Sequence, residues 1–306
     1  MAGPLLSKLG IFQHHVSRGL ISILLLSLAS AACYGIAAVL QHHEAIKERT
    51  TASGGGLLGR LVRRPVWLLG SALDGVGYGF QFLALRRGSL ALVEPILVLS
   101  LVFALPVAAR LEHRRVTSHE VGAAVLTVAG LAIFQRVARP ALGHPSAPAF
   151  DWVILSVAIA AGCGTLAFLA RRGTPKQAAL LFAAGSGTAF GYVAAVTERT
   201  GHLLDRGVLH VLGTWPLYAL IVGAVIALSL TQSAFNAGVL RLSLPTLTIA
   251  QPLVALVIGI GFFGERVHAR GIAPVVEVLG LALMTVGVYS LTRAPALAAP
   301  PDPAAH

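Results

Sequence analysis

Charge is scarce in this sequence. Asp, Glu, Lys and Arg make up 11% of the 306 residues, against about 25% in a soluble globular chain. That shortage excludes an ordinary soluble domain. There are only two cysteines, Cys33 and Cys163, each inside an apolar segment. They read as small packing residues, which excludes a disulfide framework and a cysteine metal site. The glycine clusters "DGVGYGF" and "GSGTAFG" lack the Lys-Ser/Thr of a phosphate loop, so they read as close-packing positions between helices and no ATP motif is present. No Ser-His-Asp or paired-carboxylate arrangement stands out, so the chain does not read as an enzyme. The adjacent histidines of "QHHE" (41–44) cannot both face one helix-bound metal, and no third ligand has suitable spacing. Neither a resident metal nor a cofactor is expected. The opening "MAGPLLSKLGIFQHHVSRGL" lacks a cleavable-signal pattern, so the first apolar block should be retained.

Apolar residues are what the sequence does have: 56% of the chain, with mean hydropathy +0.80. They fall into blocks of roughly 20, the length an α-helix needs to cross the hydrocarbon core. The expected class is an all-α integral membrane protein with about nine spans: 20–40, 66–85, 90–108, 120–135, 152–170, 177–196, 215–240, 245–263 and 272–291. The organisation follows as an N-terminal extension (1–19), a first transmembrane half (20–135), a linker (136–151), a second half (152–291) and a disordered tail (292–306). The longest loops are expected at 41–65 and 197–214.

Net charge is +11, but Lys and Arg are scattered through short loops, where membrane proteins keep them, so nucleic acid is not the expected partner. Thirteen of the 23 basic residues fall on one side of the nine-span layout. The positive-inside rule then puts the C-terminus in the cytoplasm and the N-terminus outside a plasma membrane.

The sequence also repeats itself. Laid without gaps, 84–134 over 241–291 puts Pro95 on Pro252, Glu94 on Gln251, Glu120 on Glu277 and Gly130 on Gly287. Helices two to four therefore recur as seven to nine. By span count the copies enter from opposite sides, giving two inverted-topology halves of four and five spans. Inverted repeats with interrupted helices are a transporter signature.

Polar groups inside these spans are the candidate pathway. Asp74, Tyr78 and Gln81 share one helical face, and Gln232 and Asn236 form a comparable stripe in the second half. Such groups line a cavity or hydrogen-bond helix to helix; the spacing is compatible with both. Glu94 precedes Pro95 within "SLALVEPILVLS". Pro252 stands seven residues after Pro245, which already suits a helix start, so Pro252 reads as interior and, by the repeat, Pro95 does too. An interior proline kinks a helix and frees the carbonyl four residues back. Glu94 would add a carboxylate to that acceptor cluster, with Gln251 opposite. The alternative for Glu94 is a helix-end position facing headgroups. Glu120 and Glu277 read as helix N-terminal charges near the interface.

The pattern "ALVEPILVLSLVFALP…EVGAAVLTVAGLAIF", with "TIAQPLVALVIGIGFFGERV…EVLGLALMTVGVYS", resembles the drug/metabolite transporter superfamily (EamA-like). The resemblance covers roughly 66–134 and 217–291, and "GFFGE" looks like that superfamily's hydrophobic run ending in Gly-Glu. The superfamily usually has ten spans, and a 4+5 layout is closer to its NIPA-type magnesium transporter branch. "VWLLGS" (66–71) is similar to a segment of that branch, whereas "VEP" stands where the branch has an apolar-Thr-Pro. The resemblance implies a permease working by alternating access between two halves. Its solute would be a cation, an amine or another small metabolite. The other readings are a NIPA-like magnesium permease, an intramembrane enzyme acting on a lipid, and a membrane scaffold. Expected partners are the bilayer and a small solute, with the chain as monomer or homodimer.

Overall fold

The computed structural model describes residues 3–51, 63–111, 113, 115–138, 148–237, 240–264 and 272–292. The centre of the 41–65 loop, most of the expected linker, Glu265 and the tail lie outside them. So do the side chains of His42 and Asn236.

Among the described residues every regular element is helical. α1 runs Gly3–Thr51, α2 Pro65–Leu85, α3 Leu90–Leu97, α4 Ser100–Leu111, α5 Ser118–Ala138 and α6 Ala149–Arg172. Then follow α7 Pro175–Leu203, α8 Val208–Leu212, α9 Trp215–Asn236, α10 Leu240–Phe262 and α11 Ala273–Thr292. Among the described residues eight segments are long and apolar enough to cross a membrane: Gly19–Gln41, Pro65–Leu85, Leu90–Leu111, Ser118–Val137, Phe150–Arg172, Pro175–Arg206, Trp215–Ala234 and Ala273–Leu291. A shorter apolar helix covers Thr246–Phe262. Large apolar side chains stand exposed along these helices, among them Leu25, Val125, Val157, Val225, Val257 and Val278. Such an exterior suits hydrocarbon rather than water. The chain is a multi-pass membrane protein.

Local chemistry explains several element ends. α7 starts at a capping box in which Gln177 N–H donates to Thr174 Oγ1 and Thr174 N–H donates to Gln177 Oε1, with Pro175 at the first helical position. It does not stop near 196. "TERTGHL" contains no proline, its Gly201 is tolerated within the helix, and the chain turns at Gly207, whose φ of +106° suits glycine. The long loop expected at 197–214 is therefore mostly helix, closed by a 3₁₀ turn and α8. α5 also opens on a box: Thr117 N–H donates to Glu120 Oε2 at 2.7 Å. Glu120 is the helix-start charge expected, although it is fully buried.

Two elements depart from simple spans. α1 is one 49-residue helix, so the expected extension and first span form a single rod. The third span is broken, with α3 ending and α4 beginning across Val98 and Leu99. Pro95 lies inside α3, as expected of an interior proline, and the break comes after it. Pro252 is also interior, yet α10 runs past it uninterrupted. The kink expected at both prolines appears as an interruption in the first copy alone.

In lipid, apolar burial between helices gives little drive, so close contact at small residues must supply the packing. α1 packs on α2 and on α3–α4, and α7 packs on α6, α9 and α10. α5 lies along α11 and α3 faces α10. The α5–α11 seam is very tight. A Cβ on Gly130 would stand 2.3 Å from Met284 N, and one on Gly287 would stand 2.4 Å from Thr127 Oγ1. All eight residues of α3 are buried, so this short helix sits at the centre of the bundle.

Candidate functional site

A line of polar side chains meets at α3. The carboxylate of Glu94, 1% exposed, accepts from Gln81 Nε2 on α2 at 2.9 Å through Oε1. It accepts from Gln251 Nε2 on α10 at 3.0 Å through Oε2. Tyr34 on α1 donates its hydroxyl to Gln81 Oε1 at 2.7 Å. The donors thus run Tyr34 to Gln81 to Glu94, and Gln251 to Glu94. Every one points at the carboxylate, the arrangement that suits its ionised form.

The other members of the first stripe connect sideways. Asp74 accepts from Gln41 Nε2 of α1 at 2.6 Å. Tyr78 shares a hydrogen bond of 3.0 Å with Thr197 of α7. Asp74 is seven residues from Gln81, about 10 Å along the helix axis, so Asp74 and Glu94 belong to separate local clusters. At the end of the same α2–α7 seam, Arg86 and Asp205 form an ion pair, and Gly201 lies close under Arg86.

Of the residues singled out in the sequence, Gln81, Glu94 and Gln251 are directly hydrogen-bonded together. Asp74 and Tyr78 lie on the same helix as Gln81 and link it to α1 and α7. Gln232 is exposed on α9, and no described hydrogen bond joins it to this set. Asn236 ends α9, with its side chain outside the described residues. Sequence reading missed Tyr34, Gln41 and Thr197. A signal for the first two was present, since Ser27, Ser30, Tyr34 and Gln41 follow helical spacing on one face of α1. Ser30 donates to Gly77 O on α2 at 2.8 Å along that face. Among the described residues no three His, Cys, Asp or Glu side chains converge as a metal site.

A second feature is apolar. A groove of about 420 Å³ runs between α6, α7 and α10, lined by Leu155, Ile159, Thr188, Leu253, Val257 and Phe262 among others.

The contacts across the centre follow the sequence repeat. Gln251 lies 157 residues after Glu94, and this is the offset of the ungapped repeat, so the two equivalent positions touch each other. The same exchange holds at the α5–α11 seam. Gly130 abuts Met284 and Gly280, while Gly287 abuts Thr127 and Ala123, which are the repeat counterparts of Met284 and Gly280. At both places the contacts join positions that the sequence repeat makes equivalent.

Over 272 residues the chain is 32% identical to an uncharacterized protein of Corynebacterium glutamicum, covering 88% of this chain and 94% of that one. The chain belongs to that protein's family. No family model matches the sequence, and no solved structure matches either. Because the relation covers 88% of this chain, it takes in the buried α3 centre.

Proposed function

We propose that this protein is a secondary transporter of the drug/metabolite type, moving a small solute by alternating access between two inverted halves. The observation that carries the reading is the Glu94–Gln251 bond between repeat-equivalent positions. A carboxylate is costly inside a membrane and tends to be kept where it does work. In this reading it would stand where the two halves meet, which is where inverted-repeat carriers bind their solutes. The reciprocal contacts of Gly130 and Gly287 support the same reading. The first half would comprise α1 to α5 and the second α6 to α11. α6 would be the added span of a 4+5 layout, with Thr246–Phe262 as the ninth. A negative group at the centre favours a cationic solute, such as an amine. The charge bias of the loops favours a plasma-membrane orientation with the C-terminus in the cytoplasm.

Uptake by proteoliposomes of purified protein, against a panel of amines, amino acids and metal ions, tests the reading. Accumulation of one class above empty liposomes is expected. No movement of any solute under an imposed ion gradient or membrane potential would contradict it.

A further inference from the structure

The central carboxylate is enclosed on every side. Glu94 is 1% exposed, both its oxygens are taken by amide N–H groups, and the partners the structure gives it are neutral. The elements packed on α3 are α1, α2, α5, α7 and α10. The buried or half-buried titratable groups on these elements include Tyr34 and Glu44 on α1, Asp74 and Tyr78 on α2, Glu120 on α5, and Tyr192, Glu198 and Arg199 on α7. α5 contributes the neutral Gln135, bonded to Leu92 O, and α10 contributes Gln251. Amide donors offset only part of the cost of a charge removed from water. Magnesium demands near-octahedral oxygen coordination and dehydrates reluctantly. In this closed arrangement the two side chains that cap its oxygens keep a solute cation from direct contact with Glu94, whereas a proton still fits.

We infer that Glu94 takes up and releases one proton, and that Gln251 registers the change by turning its side-chain amide, reversing the hydrogen bond that joins the two halves. The step is a proton transfer: a lone pair on a carboxylate oxygen forms an O–H bond with a proton of hydronium, whose own O–H bond breaks and leaves water. The resulting acid must donate, so one of its two amide partners must offer an oxygen instead. If Gln81 turned, Tyr34 would lose the oxygen to which its hydroxyl donates. Gln251 has no other described hydrogen bond, so its rotation disturbs nothing else. Its Oε1 then accepts from the Glu94 hydroxyl where its Nε2 had donated. The contact between the halves thereby changes direction with proton loading. The proposal rests on the transporter reading only for what the proton drives; the proton site itself is testable without a solute.

The test is infrared difference spectroscopy of the full-length protein in liposomes across a pH series. A protonated-carboxyl band is expected that disappears in Glu94→Gln and is unchanged in Asp151→Asn, an acid at the start of α6. Glu94→Asp should shift the band, which guards against loss through misfolding of Glu94→Gln. Gln251→Met removes the acceptor, so the band should move to higher frequency. If no pH-dependent carboxyl band depends on Glu94, the proton site is overturned. If the band ignores Gln251→Met, the amide-turn coupling is overturned. A proton site present in a protein that moves no solute would sink the transporter reading and leave this one standing.

Discussion

Gly130→Ala is the smallest change that loads the α5–α11 seam. The added Cβ would lie 2.3 Å from Met284 N, 2.7 Å from Gly280 O and 2.9 Å from Met284 Cα. All three are backbone atoms, so no side chain can swing aside. Ordinary contact starts near 3.4 Å, and α11 would have to retreat by about 1 Å. A gap of that size forfeits roughly a quarter to a half of the dispersion attraction of the atoms it separates. Overpacking of this kind typically costs about 1–3 kcal/mol. Gly287→Ala should cost a similar amount, because its Cβ would meet Thr127 Oγ1 at 2.4 Å and Thr127 N at 2.6 Å. Gly122, on the same helix α5, has nothing within 4 Å, and Gly122→Ala should stabilise by about 0.5–1 kcal/mol through helix propensity. Thermal unfolding of the purified variants, followed by size-exclusion fluorescence, reads all three. Gly130→Ala melting with the wild type, or with Gly122→Ala, would refute the packing argument.

Other consequences can be measured separately. Arg86 and Asp205 are substantially exposed, so Asp205→Ala should change stability by less than about 1 kcal/mol. Bridging Arg86→Cys to Asp205→Cys with a bifunctional thiol reagent should fix α2 to α7 and stop uptake, and unchanged uptake in the bridged protein would show that this seam need not open. Reporter fusions at residue 55 and at the C-terminus should both report cytoplasm, and an external C-terminus would overturn the orientation. Tyr34→Phe removes the hydroxyl that donates to Gln81 and should lower uptake with little loss of expressed protein. Wild-type uptake would make Tyr34 a bystander.

The membrane class and most spans are legible in the sequence because scarce charge and block length are one-dimensional properties. The repeat is legible too, since Pro95 and Pro252 keep their register with Glu120 and Glu277. Other features depend on packing. Tyr34 and Gln41 share a polar stripe of α1 with Ser27 and Ser30, but a stripe does not name its partner helix, and Thr197 lies beyond the apolar block of α7, so their partners come only from packing. The break after Pro95 and the continuous helix through Pro252 come from different surroundings of similar sequences. α3 is encased by five helices, whereas α10 leaves Leu253, Val257 and Ile260 exposed. The overrun of α7 to Leu203 was missed because its last turns are polar, and hydropathy ends a span where helical propensity does not.

The central claim is that the buried Glu94 carboxylate, which joins α2 to α10, serves transport rather than packing. It is tested most directly by comparing uptake in Glu94→Gln with that in Glu120→Gln at matched protein density. Glu94→Gln keeps the shape and removes the charge-assisted bonds from Gln81 and Gln251. Each such bond contributes about 1.5–3 kcal/mol, so the loss should slow uptake by about tenfold or more. Glu120→Gln retains a side chain that can complete the α5 capping box with Thr117, and should transport near the wild-type rate. Wild-type uptake by Glu94→Gln, or equal loss in both variants, would contradict the account.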